Sequence, residues 1–529
     1  MNINRRLLLG SLASLPMVRL ARGAAAHRLT VLHMNDFHSR HEPVDGRALT
    51  CKPGARPDCF GGAARLATAL FAERAAAEAA GRTVLLLDAG DQFQGSLFYT
   101  AWHGEAELAV MRVLGTEAMA VGNHEFDNGP EVLARFVTAA PFPVLSANID
   151  TSAEPALAGK IKASTMLRKD GLDIGIVGLT TRETATSSSP GQNIRFNDPA
   201  PPLAEQAAFQ RANGARLVIA LSHLGWENDR ALAGTIKGVD VFVGGHSHTL
   251  LSDSEAGALG PAHEAISGPA GRAVVVQAAC YGRYFGRLDL DIGEDGTVLA
   301  YGGDTRHVGL ELPEHPGVAA IVAGYTSQLD TVRKRIVGQA PAAVDITTCR
   351  MGECALGSFV AEAMLAGVHG ADVAITNGGG LRTGLPSGQI TLGDVLSVLP
   401  FGNTVATLKL KGSDLRDALA NGVSRAGMGG FPQVAGLRLT WNPLAEPAQR
   451  LGSVAIRSAD GSYAPLDPAR IYTVVTNNFM RTGGDGYVSM RDHAIDPYDA
   501  GAGVDEVVST AIAAASPFAP KIDGRIAIQ

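Results

Sequence analysis

Between Leu29 and about Leu290 the sequence repeats one pattern. A short aliphatic run is followed at once by polar residues and then by a helix-like segment. The runs read LTVLHM, TVLLLDA, EAMAVG, FPVLSAN, DIGIVGL, RLVIALS and VDVFVGG. A run that is apolar at every position has no solvent face, so such strands must be covered on both sides. Alanine-rich segments such as GGAARLATALFAERAAAEAAG supply the cover, with Gly81 as a helix stop. This half of the chain is therefore restricted to a layered α/β domain.

The residues that follow the runs are chemically selective. The first run delivers Asp36 and His38, the second Asp91, and the third Asn123 and His124. Later runs deliver His223, then His246 and His248. In open α/β sheets the functional crevice lies beyond the carboxyl ends of the strands, so these side chains are aimed at one region. A lone histidine behind a strand is usually structural, but here five of the chain's 14 histidines share that position. Imidazole, carboxylate and amide oxygen without thiolate suit zinc, manganese, iron or cobalt. Seven such ligands exceed the needs of one tetrahedral ion and suffice for two ions sharing a carboxylate. Asp91, the only ligand from its strand, is the candidate bridge. If Asn123 coordinates, the adjacent His124 is free to face a substrate, and Asp127 either orients that imidazole or caps the turn ahead of NGP.

Around Val308–Gly338 the pattern changes to a proline-punctuated, amphipathic helical stretch, read as a connection. From about Ile346 the sequence is α+β in character, with hairpin-like strands such as TVATLKLKG and VAGLRLTWNP. There, ITNGGGLR offers glycines around Gly379 for close backbone approach and Arg382 for an anion. LPFGNT carries Phe401 and Asn403 in one loop, and NNFMRTGGDGY carries Phe479 and Asp485. Two loop aromatics suit a sandwiched nucleobase and the aspartate suits ribose hydroxyls, although both phenylalanines would equally fill local cores.

With 529 residues and 18% charged residues the chain has room for several folded domains, and its net charge of −7 argues against a nucleic-acid polymer as partner. The opening NRRLLLGSLASLPMVRLARGAAA pairs Arg5 and Arg6 with a short apolar run and small residues up to Ala26. Residues 1–26 read as a twin-arginine-type signal peptide, with an ordinary secretory signal as the alternative, and place the mature protein in the periplasm or outside the cell. No later run is long enough for a membrane span. Cys51 with Cys59, and Cys349 with Cys354, flank short loops and read as two local disulfides of an oxidising compartment; Cys280 is left as a buried thiol.

Together NDFHS, GNHEFD, SHLG, GHSH, NGGGLR, LPFGNT and GGDGY resemble the 5′-nucleotidase family of secreted metallophosphatases. The resemblance covers nearly the whole mature chain. It implies an N-terminal four-layer α/β/β/α metallophosphatase sandwich over 27–310, a linker helix over 311–340, and a C-terminal α+β nucleotide-binding domain over 341–529. It further implies one metal held by Asp36, His38, Asp91 and His248, and another by Asp91, Asn123, His223 and His246. His124 with Asp127 would be the catalytic pair. Phe401 and Phe479 would stack the base, Asp485 would contact ribose, and Arg350, Asn377 and Arg382 would bind the nucleotide, with Gly379 and Asn403 counted among the substrate contacts. This chain has Ser358 where many members carry Asn, and His248 where members carry Gln or His.

The expected activity is hydrolysis of nucleoside 5′-monophosphates to nucleoside and phosphate by metal-bound hydroxide, with two divalent ions, zinc, manganese or cobalt. Competing enzyme readings are a broader nucleotide, UDP-sugar or 2′,3′-cyclic phosphodiester range, or the thiosulfohydrolase branch of the family. The non-enzyme alternative is an exported nucleotide-binding protein.

Overall fold

The computed structural model describes residues 17–20, 24–44, 51 and 59–529. Arg5 and Arg6 of the expected export signal, and most of the Cys51–Cys59 loop, lie outside the described residues. The first two sheets hold the repeated runs. One has seven strands in the order Val18–Arg19, Val298–His307, Tyr284–Ile292, His27–Met34, Thr83–Asp88, Ala118–Ala120 and Val144–Leu145. The other has six: Glu264–Gly268, Gly271–Val276, Val241–Gly244, Leu217–His223, Leu172–Thr180 and Ser164–Lys169.

Alternation along each run explains the layering. Leu29, Val31, Leu85 and Leu87 share one core with Ile174, Ile176, Ile219 and Leu221 of the other sheet, so the two sheets pack face to face. The intervening residues point outward into helices. Leu32 and Leu86 meet Leu66 and Leu70 of the helix Ala63–Ala79, while Val218 and Ala220 meet Leu203 and Ala207 of the helix Ala200–Ala212. The layers are thus helix, sheet, sheet, helix. Gly81, at φ +70°, ends the helix Ala63–Ala79, and the next amide, Arg82 N–H, donates to the Ala77 carbonyl at 3.0 Å.

Strands His27–Met34, Thr83–Asp88, Ala118–Ala120 and Val144–Leu145 are parallel. So are Leu172–Thr180, Leu217–His223, Val241–Gly244 and Gly271–Val276. Their carboxyl ends therefore open on one side of each sheet.

The connecting segment is helical in two pieces, Pro316–Thr326 and Leu329–Arg333, rather than one rod. At the break the bonds tighten to three-residue spacing: Gln328 N–H donates to Tyr325 O and Thr331 N–H to Gln328 O, both at 3.0 Å. Beyond it, a five-stranded sheet runs Pro432–Ala435, Val373–Asn377, Ile471–Asn477, Val405–Lys411 and Ile495–Tyr498, beside a four-stranded sheet ending in Ile526–Ile528. Both expected disulfides, Cys51–Cys59 and Cys349–Cys354, are formed, and Cys280 is a buried free thiol. No helix among the described residues is long and apolar enough to cross a membrane.

Candidate active site

The loops that leave the parallel strands are bent sharply to bring their side chains inward. Asp36, His38, Asp91, His246 and His248 all have φ between +50° and +72°. A left-handed backbone costs a non-glycine residue roughly 1–3 kcal/mol, and such strain collects at functional sites. Glycines complete the approach. A Cβ on Gly122 would lie 2.2 Å from Asp91 Oδ1, and one on Gly95 would lie 2.6 Å from the His38 carbonyl. Gly122→Ala should therefore displace the Asp91 loop; we expect loss of divalent-cation binding by calorimetry, and wild-type affinity in that variant would contradict the packing argument.

All seven candidate ligands converge. His38 Nε2 and His248 Nε2 are 3.1 Å apart, with Asp36 Oδ1 3.3 Å from His248 Nε2 and 3.9 Å from His38 Nε2. Asn123 Oδ1 is 3.2 Å from His223 Nε2 and 3.0 Å from His246 Nδ1. Asp91 Oδ2 stands between the two groups, 3.0 Å from His223 Nε2 and 3.8 Å from His38 Nε2, yet it is buried without a hydrogen-bond partner. An orphaned, buried carboxylate oxygen facing imidazole nitrogens is costly unless something positive sits among them. Backbone carbonyls fix the ring tautomers. His38 Nδ1 donates to Phe93 O at 3.2 Å and His223 Nδ1 to Ala89 O at 2.7 Å, leaving each Nε2 as a lone-pair donor toward the cluster. The donor set therefore fits a pair of divalent cations, and the triplets Asp36–His38–His248 and Asp91–His223–His246 each have ligand atoms within 4.8 Å of one another. His124 also falls within range of His38 and Asp91.

His124 is held differently from the others. Its Nδ1 meets Asp127 Oδ2 at 2.6 Å, and Ser188 Oγ donates to the other Asp127 oxygen at 2.7 Å. Asp127 is not the N-cap of the helix Pro130–Ala139, a position Gly129 occupies, but it does lie in the turn ahead of NGP, where its N–H donates to His124 O at 3.1 Å. Burial opposes a charge on His124, but the Asp127 and Asp91 carboxylates overcome it and its pKa is pushed up to about 10. Its Nε2 faces the cluster, 4.0 Å from Asp91 Oδ2.

Comparison with known proteins agrees with this geometry. Residues 29–250 match the family model for calcineurin-like phosphoesterases, and residues 333–492 match that for the 5′-nucleotidase C-terminal domain. The 5′-nucleotidase of Diplobatis ommata is 35% identical over 530 residues, covering 95% of this chain and 90% of that protein. The chain belongs to the 5′-nucleotidase family. It is a hydrolase, and its phosphoesterase domain implies divalent cations. The trifunctional nucleotide phosphoesterase YfkN of Bacillus subtilis (strain 168) is 36% identical over 484 residues, 84% of this chain, but this chain spans only about a third (32%) of its length. The structure of Haemophilus influenzae NAD nucleotidase superposes with a TM-score of 0.83 at 26% identity, covering 96% of this chain and 99% of that one.

The nucleotide contacts that the 5′-nucleotidase family resemblance implies lie in the C-terminal part of the chain, all but Asn377 in loops and short helices between its strands. Phe401 and Phe479 are 37% and 43% exposed, which is high for phenylalanine and removes the reading that they merely fill cores. Their loops are tied together, with Asn478 N–H donating to Thr404 O at 3.1 Å. The Arg382 guanidinium carbon lies 5.6 Å from the Phe401 ring centre. Asn377 Nδ2 donates to Asp485 Oδ2 at 2.8 Å, and Asn403 lines a small cavity with Phe401 and Asn477. Gly379 is pressed on Gly429, where a Cβ would lie 2.5 Å from its Cα. Arg350 is joined through its carbonyl to Gly427 N–H at 2.7 Å.

Two functional residues escaped the sequence reading. Glu125, within GNHEFD, accepts from the backbone N–H groups of Asp91, Gln92, Phe93 and Gly122 at 2.6–3.2 Å, so its carboxylate shapes the Asp91 loop. Burial, then the Asp91 charge, raises its pKa to about 7. Its place in the motif was the available signal. Tyr498 carries no such signal, yet its hydroxyl is 2.7 Å from Asn123 Nδ2.

Proposed function

We propose that the chain hydrolyses nucleoside 5′-monophosphates to nucleoside and phosphate at a two-cation centre. The single observation that carries this reading is the unpartnered Asp91 Oδ2, buried between two sets of ligand atoms. Asp36, His38, Asp91 and His248 would hold one cation, and Asp91, Asn123, His223 and His246 the other. Cations bound there would supply Lewis acidity and an acidified water. His124, kept protonated by Asp127, donates to the departing nucleoside oxygen or stabilises charge on the phosphoryl group. Phe401 and Phe479 stack the base, Asp485 accepts from ribose, and Arg350, Asn377 and Arg382 hold the nucleotide, with Gly379 and Asn403 completing the pocket.

A broader nucleotide range is the second reading. The names of two relatives, a trifunctional nucleotide phosphoesterase and an NAD nucleotidase, favour it. Supporting it physically, a cavity of about 480 Å³ beside Arg40 and Arg333 adjoins the Phe401 loop and has room for groups beyond one phosphate.

Phosphate release from AMP should appear on adding manganese or zinc and vanish with chelator. A panel of AMP, ATP, UDP-glucose, 2′,3′-cyclic AMP and NAD separates the two readings, and no release from any of them by metal-loaded protein would overturn both. The same proposal includes twin-arginine export, the domain boundaries given above and a mature start near His27. The two disulfides support export. N-terminal sequencing of periplasmic protein tests it, and processing there would remove Val18–Arg19 from the edge of the strand Val298–His307.

A further inference from the structure

The strand Ile495–Tyr498, at the edge of the five-stranded sheet, ends inside the histidine cluster of the other domain. Tyr498 Oη accepts from Asn123 Nδ2 at 2.7 Å and lies 3.1 Å from His124 Nε2. Its own proton goes to the Ala500 carbonyl at 3.0 Å. The phenol proton being committed, the oxygen faces Asn123 and His124 purely as an acceptor. Its ring also stacks on His246, with centres 5.3 Å apart and planes 25° from parallel. An acceptor oxygen held by His124 is what the proposed reaction requires of the substrate.

We infer that Tyr498 is an internal competitor for the phosphoryl site. This rests on the phosphoester-hydrolase reading of the cluster. Its phenol oxygen occupies the place of a substrate oxygen, and substrate enters only when the second domain withdraws it.

Tyr498 cannot leave alone. The next residue, Asp499, is paired with Arg481 and accepts through its carbonyl from Thr404 Oγ1. Arg481 belongs to the short helix that carries Phe479, and Thr404 follows the Phe401 loop. The strand Ile495–Tyr498, a cap over the cluster, and both aromatic loops therefore move as one body. Withdrawing the phenol necessarily moves the aromatic pair relative to the cations' ligands, and the break in the connecting helix near Ser327 lies where such a rotation would be absorbed.

The consequence is quantitative. A site open for only a fraction of the time binds every ligand more weakly by that fraction. Removing the hydroxyl loses its hydrogen-bond contacts with Asn123 and His124, enough for a change of about tenfold. The shift should be the same for inorganic phosphate and for nucleotides, because the phenol must leave for either.

The test uses manganese-loaded full-length protein and inorganic phosphate. Calorimetry should give about tenfold tighter phosphate binding for Tyr498→Phe than for wild type. A merely structural role would predict weaker or unchanged binding, and either result overturns the inference. On the wild-type protein, tyrosine nitration mapped by mass spectrometry should spare Tyr498 without phosphate and modify it when phosphate is bound. Equal modification in both states also overturns it. AMP turnover is read separately: tighter phosphate binding in the variant with no nucleotide turnover in wild type would remove the nucleotide reading and leave the cap standing.

Discussion

Asp91→Ala should lose both activity and metal. Its Oδ2 lies against both ligand groups, 3.0 Å from His223 Nε2 and 3.8 Å from His38 Nε2, while its Oδ1 accepts from the His124 amide at 2.9 Å. Truncation deprives the buried His38, His124 and His223 imidazoles of the Asp91 counter-charge. Loss of a bridging ligand should weaken both ions together rather than one. We expect turnover to fall by about three orders of magnitude or more, the scale of removing a principal transition-state charge stabiliser. Elemental analysis should find fewer than one ion per chain, against two expected for wild type. A variant that keeps two ions and near-normal turnover would dismiss Asp91 as the bridge.

The second large effect is at His124, and it should look different. His124→Ala removes the proposed proton donor, while His38 and His223 keep their carbonyl-fixed tautomers. Turnover should drop about 10²–10⁴-fold, the range for a positioned general acid. Metal content should stay at the wild-type level. The milder change Asp127→Asn checks the pairing. The carboxylate raises the imidazole pKa, so its loss lowers that pKa, and the protonated form disappears at lower pH than before. The alkaline limb of kcat should move down the pH scale. An unmoved limb would mean that His124 does not supply the proton.

Only part of this was legible beforehand. Strand ends such as NDFHS and GGHSH could be found because an uninterrupted apolar run has one stable use, a strand buried on both faces, and parallel strands point their ends the same way. The polar residues behind such runs were thereby assigned to one crevice. Glu125 was visible within GNHEFD, but nothing in its spacing tells that its carboxylate folds back onto the amides of a loop more than thirty residues earlier. The connecting segment looked like one amphipathic helix because hydrophobic spacing does not register a local tightening of the backbone bonds.

The sequence by itself determined a layered α/β domain and the ligand chemistry, because these follow from local periodicity and from side chains at strand ends, and it pointed to the family through the resemblance of its motifs. The tertiary structure alone decided how close the ligands come, which ring nitrogen faces inward, and that a tyrosine from the far domain reaches Asn123. Those depend on left-handed turns at Asp36, His38 and Asp91 and on a contact spanning some 375 positions. No window along the chain encodes such a separation; only packing does.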